Sequence, residues 1–165
     1  MKQPLVGGST VADDTIIGAH DESADGLINT NPYTLDRASE ANSRFIAAMK
    51  KNYGDDVRIG HYAACFYANG QVIEAALANT GGKSDTLVKA VRTITLADTP
   101  RGPLSFDDYG NAVIDVYVRR AEKQNGKMLN RTVKTYNKVS QFWTMDPKAF
   151  LAQPVFSRDY PPMKS

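Results

Sequence analysis

The chain has 165 residues, of which 42% are hydrophobic and 23% charged, a balance that excludes a disordered chain and indicates a globular domain. Its 20 basic and 18 acidic residues leave a net charge of +2, which is too even to favour a nucleic-acid partner. The single cysteine, Cys65, excludes an intramolecular disulfide, and no run of about 18 apolar residues predicts a membrane span.

The first segment predicts a strand, a glycine corner and a helix. Residues 4–6 form a short apolar strand that ends at Gly8, and Ser9 or Thr10 is placed to cap the helix, with Asp13-Asp14 in its first turn. Such a corner offers free backbone N–H groups and hydroxyls at a positive helix end. These residues are therefore either an ordinary helix cap or a site for an anion or carboxylate.

A second strand and three helices follow. Residues 26–33 predict a strand that ends at a proline, and apolar spacing predicts helices over residues 36–53, 59–80 and 84–94. Because residues 59–80 are apolar nearly all round, we expect this helix to be buried on more than one side.

Phe66 and Tyr67 are neighbours in the longest predicted helix, so their side chains point about 100° apart. Either both rings lie in the core, or one faces the core while the other faces a cleft. Cys65, beside them, is expected to be a small core residue.

The last third predicts mainly strands. Leu104–Phe106 follows a proline turn, and the strands 113–121 and 128–136 flank Asn125-Gly126, a strong hairpin signal. The pair Arg119-Arg120 is interpreted as part of a solvated face. Asp146 is expected to cap a brief final helix, which a proline-rich tail follows.

Three stretches resemble one family. They are residues 100–119 (PRGPLSFDDYGNAVIDVYVR), residues 139–143 with Asp146-Pro147, and residues 4–8. Taken in chain order, they are similar to the C-terminal half of periplasmic solute-binding proteins of branched-chain amino acid type ABC transporters, and the resemblance runs over nearly the whole chain. The resemblance implies an α/β chain that is part of a type I periplasmic-binding (venus-flytrap) fold, with a β-hairpin near its C-terminus.

The resemblance also implies a division of the chain. Residues 1–33 would be a remnant of the second lobe that includes the cleft corner, residues 34–138 the α/β portion of the first lobe, and residues 139–165 a return segment with the proline-rich tail. Complete members of the family are much longer, so the side chains that the missing half gives to the ligand site are not in this chain.

Four residues are placed at the ligand cleft by the resemblance: Gly8, Ser9 and Thr10 at the corner, and Tyr67 as a pocket-lining aromatic. The segment Asn31, Pro32 and Tyr33 is either a candidate hinge between the lobes or a plain loop.

The implied function is to bind a small organic solute, an amino acid or related carboxylate, between two lobes for delivery to ABC transporter permease subunits. The family is periplasmic, whereas residues 1–8 lack the apolar core of a signal peptide. No cofactor is expected, and exposed faces are expected to favour self-association. The alternatives are a ligand sensor or interaction module on the same fold, and a fragment without a competent site.

Enzymatic chemistry is not predicted. The corner at Gly8 does not match a GxSxG elbow, and no GxxxxGK[ST] phosphate loop is present. His20 and His61 lie far apart in the sequence, which gives no metal-ligand spacing. We therefore expect neither catalytic residues nor a metal site.

Overall fold

The computed structural model describes residues 3–81 and 84–155. Its strands and helices, in chain order, are β1 (Val6–Gly7), β2 (Ile28–Asn31), α1 (Glu40–Tyr53), α2 (His61–Thr80), α3 (Ser84–Thr93), β3 (Leu96–Thr99), β4 (Gly102–Phe106), β5 (Ala112–Gln124), β6 (Lys127–Val139) and α4 (Pro147–Leu151). The predicted tail beyond residue 155 and the predicted capping side chains of Ser84 and Asp85 lie outside the described residues. The α/β class is confirmed.

One sheet of six strands, counted over the described residues, runs in the order β1-β2-β5-β4-β3, with β6 on the other edge of β5. Strands β1 and β2 are parallel, and the remaining pairs are antiparallel. The start of β5 pairs with β4, whereas residues 117–120 of the same strand pair with β2. The long β5–β6 ribbon therefore joins two parts of the sheet that share no other strand pair.

The hairpin near the C-terminus is confirmed. Asn125 and Gly126 take positive φ angles of 49° and 79° between β5 and β6, as a two-residue turn of mirror type requires. Asp146 caps α4 as predicted, since its side chain accepts a hydrogen bond from the Ala149 N–H at 2.8 Å.

The helices pack on the sheet through narrow stripes. In α2 the buried apolar residues recur every fourth position, and in α1 the ring of Phe45 is fully buried against Tyr33. The buried apolar residues of α2 are Ala64, Ala68, Val72 and Ala76.

The helix predicted after Gly8 is wrong. Residues 8–16 form turns, and a short 3-10 turn follows at Ile17–Ala19. Side chains from distant strands bind this backbone instead: Asn31 donates to the Ser9 carbonyl, and Arg119 and Asn130 donate to the Ala12 carbonyl. These long-range partners outcompete a local helix, so Ser9 and Thr10 cap no helix.

Helix α1 begins at Glu40 rather than Asp36, because Ser39 supplies the cap and Asp36 is engaged elsewhere. The Ser39 hydroxyl accepts from the Asn42 N–H at 3.1 Å. The Asp36 carboxylate accepts from the Thr132 N–H of β6 at 2.8 Å.

The expectation that α2 is buried on more than one side is also wrong. Tyr62, Phe66 and Ile73 are 63%, 73% and 51% exposed, so only one face of the helix meets the rest of the described chain. The alternative in which both Phe66 and Tyr67 lie in the core is therefore wrong as well, since the two rings are 73% and 40% exposed. Cys65 is half-buried.

Candidate functional site

A cluster of charged and amide side chains, all buried except the half-buried Asn130, lies where residues 12–14 meet α2, β2, β5 and β6. We call it the polar junction, and its members are Asp13, Asp14, Asn29, His61, Arg119 and Asn130. It lies directly after the candidate corner at Gly8–Thr10 and beside the candidate hinge, so it fixes both relative to the sheet.

Arg119 is the centre of the polar junction, and its interpretation as part of a solvated face is wrong. The residue is fully buried, and its guanidinium donates to the Asn29 side-chain oxygen at 2.9 Å and to the Asp14 carboxylate at 2.7 Å. It also donates to the carbonyls of Ala12 at 3.0 Å and Tyr33 at 3.3 Å. One side chain thus ties the corner loop, β2 and the hinge segment to β5.

Asn130 of β6 completes the contacts of Asp14. Its amide donates to Asp14 at 2.8 Å and to the Ala12 carbonyl at 2.8 Å, while its oxygen accepts from Asn29 at 3.0 Å. Burial raises the pKa of the Asp14 carboxyl although Arg119 lies beside it, and burial also lowers the pKa of the Arg119 guanidinium. The desolvation of both charges is therefore large, and removing one partner leaves the other uncompensated.

Asp13 turns the other way and fastens the loop to the start of α2. Its carboxylate lies 2.7 Å from the His61 ring nitrogen Nδ1 and accepts from the His61 and Thr15 backbone N–H groups. Burial raises the pKa of Asp13, but the hydrogen bonds from His61 and Thr15 outweigh it and lower that pKa to about 2. Gly60 is required here, because a Cβ at this position would lie 2.1 Å from the Asp13 carboxylate.

The candidate corner residues Gly8, Ser9 and Thr10 lie on an open turn. Gly8 and Thr10 are exposed and Ser9 is half-buried, and the Gly8 carbonyl accepts from the Val11 N–H at 3.3 Å. Within the described residues, the N–H groups and hydroxyls of Ser9 and Thr10 have no hydrogen-bond partner. The corner therefore keeps free donors, although the helix end that was expected to strengthen them is absent.

Tyr67 lies at the edge of an apolar groove between α1 and α2. Its ring is 5.0 Å from that of Phe45, centroid to centroid, and the groove has a volume of about 400 Å³. The other residues of the groove are Met49, Tyr53, Val57, Ala63 and Phe66. This setting gives a half-exposed aromatic face that is supported from behind by a buried ring.

Tyr67 and the corner residues are joined only indirectly. In the described part of the chain, no hydrogen bond or ring contact links Tyr67 to Gly8–Thr10. Asp13 holds the first residue of α2, and Tyr67 lies six residues further along the helix, a rise of about 9 Å.

The candidate hinge, Asn31–Tyr33, is anchored at every residue. The Asn31 amide donates to the Ser9 carbonyl at 3.3 Å, and the carbonyl of Pro32 accepts from Arg101 at 3.2 Å. The Tyr33 hydroxyl donates to Asn42 of α1 at 3.0 Å. The segment therefore connects the corner to α1 directly, and its role as a hinge stays a prediction, as does the division at residue 33.

The polar junction was missed in the sequence, because the apolar pattern along β5 favours the other face of the strand. Asp115, Tyr117, Arg119 and Ala121 alternate along β5 and are all buried, because side chains two apart lie on the same face of a strand. The sequence instead favours the opposite face as the inner one, because Ile114, Val116 and Val118 are apolar, yet these three side chains are only half-buried.

Within residues 3–81 and 84–155, no three side chains of the types that ligate metals come together. None of the helices in this part of the chain is both long and apolar enough to cross a bilayer.

Comparison with known sequences identifies relatives of the chain. The pattern of the family described as periplasmic binding protein matches residues 1–127. A Leu/Ile/Val-binding protein homologue from Brucella abortus is 28% identical over 121 residues, which is 71% of this chain and 31% of the relative. The chain thus spans about a third of the length of the curated relatives that it matches.

Solved structures share the fold. A solute-binding protein of an ABC transporter from Rhodopseudomonas palustris BisB5, in complex with 3,4-dihydroxybenzoic acid, is 30% identical with a TM-score of 0.74, over 83% of this chain and 38% of that one. A second R. palustris protein, in complex with 4-hydroxybenzoate, is 26% identical with a TM-score of 0.72, over 82% and 37%. A leucine-binding protein from Thermotoga maritima, 21% identical with a TM-score of 0.67 over 83% and 38%, supports the fold alone.

Proposed function

The chain belongs to the periplasmic binding protein family, and on this premise we propose that it supplies part of a site for the carboxylate of a small organic solute. The family consists of binding proteins rather than enzymes. Because the chain spans only about a third of its curated relatives, the complete site, the delivery of solute to permease subunits of an ABC transporter and the periplasmic location are proposed for the full binding protein.

The unpaired donors at the corner carry the proposal. Ser9 and Thr10 present backbone N–H groups and hydroxyls that bind no described residue. The loop that carries them is fixed just afterwards, where Arg119 binds the Ala12 carbonyl and Asp13 binds the start of α2. A carboxylate accepts such hydrogen bonds, and a charged acceptor makes them stronger than a neutral one does. The corner is therefore suited to the one group that amino acids and aromatic acids share.

The position of Tyr67 favours a solute with an aromatic or branched aliphatic side chain. Its half-exposed ring is backed by Phe45, so a ligand can pack against it without first displacing a core side chain. Two relatives at 30% and 26% identity were solved with hydroxybenzoates, and the curated relatives are named for Leu, Ile and Val. We propose hydroxybenzoates first and branched amino acids second.

Closure of the site would use the segment Asn31–Tyr33. In hinge motions a few residues at the end of an element absorb the change in backbone angles, and this segment directly follows β2. Its contacts with Ser9, Arg101 and Asn42 would couple such a motion to the corner and to α1.

A thermal melt with added ligand tests the proposal. At 100 times its dissociation constant, 4-hydroxybenzoate or leucine should stabilise the folded chain by about 2.7 kcal/mol. Ser9→Ala and Tyr67→Ala should each shrink that stabilisation, whereas the exposed control changes Ser43→Ala and Tyr109→Ala should leave it intact. Stabilisation that survives both site variants would contradict the assigned residues.

A further inference from the structure

Helix α2 begins without a cap of its own. Gly60 precedes it and has no side chain that could accept from the first N–H groups, and residues 61–64 include no acidic side chain. These N–H groups need acceptors, and a negative charge is favoured at this end of a helix. Asp13, 48 residues earlier, supplies both, since its Oδ2 accepts from the His61 N–H at 3.2 Å. The corner loop, residues 8–16, therefore caps the helix that carries Tyr67.

The two carboxylate oxygens of Asp13 bind two different elements. Oδ1 accepts from the Thr15 N–H at 3.0 Å and from its hydroxyl at 2.7 Å, within the corner loop. Oδ2 accepts from the His61 N–H and lies 2.7 Å from the His61 ring nitrogen Nδ1, on α2. Burial opposes ionisation, but these four hydrogen bonds outweigh it and lower the pKa of Asp13 to about 2. An ionised carboxylate only accepts hydrogen bonds, so Nδ1 carries the ring proton. We call this set of contacts the Asp13 bridge.

The Asp13 bridge is buried and tightly enclosed. Asp13 and His61 are 5% and 7% exposed. A Cβ at Gly60 would lie 2.1 Å from the Asp13 Oδ1 and 2.7 Å from the Thr15 methyl carbon, so the bridge leaves room for glycine alone. Among the described residues, the other hydrogen bond between the corner loop and α2 or the segment before it runs from Arg58 to the Thr15 carbonyl at 3.4 Å, at the surface. The Asp13 bridge is therefore the main hydrogen-bonded connection between the two elements.

We propose that Asp13 is a positioning residue for the solute: its bridge fixes the corner loop relative to α2, and so fixes the donors of Ser9 and Thr10 relative to the ring of Tyr67. This inference rests on the proposed function, since it names what holds the two parts of that site in place. Asp13 itself is buried below the corner and contacts Thr15 and α2 rather than the solute.

The two parts of the proposed site need such a connection because they lie on separate elements. In the described chain, no hydrogen bond or ring contact joins Ser9 and Thr10 to Tyr67. Two contacts to one ligand reinforce each other only when the geometry lets both form at once. Fixing that geometry before the ligand arrives removes an ordering cost from binding. A rigid solute such as a hydroxybenzoate, which cannot change its own length, depends on this spacing more than a flexible one does.

Asp13→Asn breaks the Asp13 bridge with little change of shape. The amide has one accepting oxygen and one donating NH₂ group, whereas the carboxylate has two accepting oxygens. Whichever way the amide is turned, its NH₂ group faces the donors of either Thr15 or His61, so one of the two elements is released. Gly60→Ala attacks the same contacts from the other side, because its Cβ displaces the Asp13 carboxylate.

Titration of the ¹⁵N-labelled chain with 4-hydroxybenzoate, acetate and phenol tests the proposal. Asp13→Asn and Gly60→Ala should each raise the dissociation constant of 4-hydroxybenzoate by about tenfold or more, because this solute uses both elements. They should change the dissociation constants of acetate at the corner amides and of phenol at the Tyr67 amide by less than about threefold, because each of these fragments uses one element.

The matched control is Leu104→Ala. Leu104 is buried in the cluster between α2 and β4, so its loss destabilises the chain without touching the Asp13 bridge and should leave all three dissociation constants unchanged. An unchanged affinity of Asp13→Asn for 4-hydroxybenzoate would overturn the proposal, and so would an equal loss for acetate, which would show that Asp13 shapes the corner itself. A wild-type chain that binds none of the three at these residues would overturn the proposed function instead.

Residual dipolar couplings of the ligand-free chain test the bridge without any solute. In wild type, the N–H couplings of the corner loop and of α2 should fit one alignment tensor. In Asp13→Asn the couplings of the corner loop should be scaled down relative to those of α2, because a loop that is no longer tied moves against the helix. Couplings that fit one tensor equally well in both chains would overturn the proposal, whatever the titrations show.

Discussion

The polar junction and the outer face of α2 reverse the usual arrangement of a globular domain. At the polar junction, Arg119 and the carboxylates of Asp13 and Asp14 are buried, whereas on α2 Phe66 is 73% exposed. The buried charges are all paired and hydrogen-bonded, so that region is complete within this chain. Phe66 has no ring contact among the described residues, whereas Tyr62 contacts only the neighbouring His61 ring, so α2 presents a largely open apolar surface.

This difference teaches what each region can do. A buried, fully paired polar cluster holds one geometry, because each of its groups loses several contacts if it moves. It therefore positions the corner and the candidate hinge. An exposed apolar face has no such preference and gains free energy when any complementary surface covers it.

Of the substitutions considered, replacement of Arg119 in the polar junction should lower the free energy of unfolding most. Arg119→Met should lower the free energy of unfolding by about 3–5 kcal/mol, because Asp14 is left buried without its partner. Arg120→Met is the matched control: Arg120 is the next residue and is exposed, so its loss should cost less than about 0.5 kcal/mol. Urea denaturation measures both, and equal losses would contradict the central place of Arg119.

The pH dependence of stability should reveal Asp13. Its pKa is lowered to about 2, so its ionised form stabilises the folded state by about 2 kcal/mol at neutral pH. That contribution is complete above the ordinary pKa near 3.8 and is lost as the pH falls through 2. The difference in unfolding free energy between wild type and Asp13→Asn should therefore stay constant above the ordinary pKa. It should shrink as the pH falls towards 2. A difference that does not change with pH would show that the charge of Asp13 does not matter.

Substitutions on the outer face of α2 should have the smallest effect on the free energy of unfolding. In dilute monomer, Phe66→Gln should change the free energy of unfolding by less than about 0.5 kcal/mol, because the ring is already in water. Phe45→Ala, in the buried cluster of α1, should cost about 3–5 kcal/mol. If both phenylalanines proved equally costly in the dilute chain, Phe66 would be a core residue and the contrast would fail.

Local chemistry was predictable from the sequence. The turn at Asn125-Gly126, the cap at Asp146 and the strands on either side of the hairpin depend on neighbouring residues, and all are confirmed. The family, and with it the fold, was predictable because the stretch at residues 100–119 carries the resemblance.

Long-range pairing was not predictable from local patterns. Arg119 and Asp14 are separated by 105 residues, and the tertiary contact that buries them overrides the rule that adjacent charges are solvated. The same contacts removed the expected helix after Gly8, since distant side chains bind its backbone. The helical periodicity of α2 was predictable, but the exposure of one of its faces was not, because tertiary contacts rather than the spacing of apolar residues decide which face is covered.

The site assignment is tested most directly by a ¹H–¹⁵N correlation spectrum of the labelled chain during titration with 4-hydroxybenzoate. The proposal predicts saturable shifts of the Gly8, Ser9 and Thr10 amides together with that of Tyr67, with small changes at the outer end of α2. Shifts confined to other parts of the chain, with the amides of Gly8–Thr10 unmoved, would contradict the proposal that this corner holds the carboxylate.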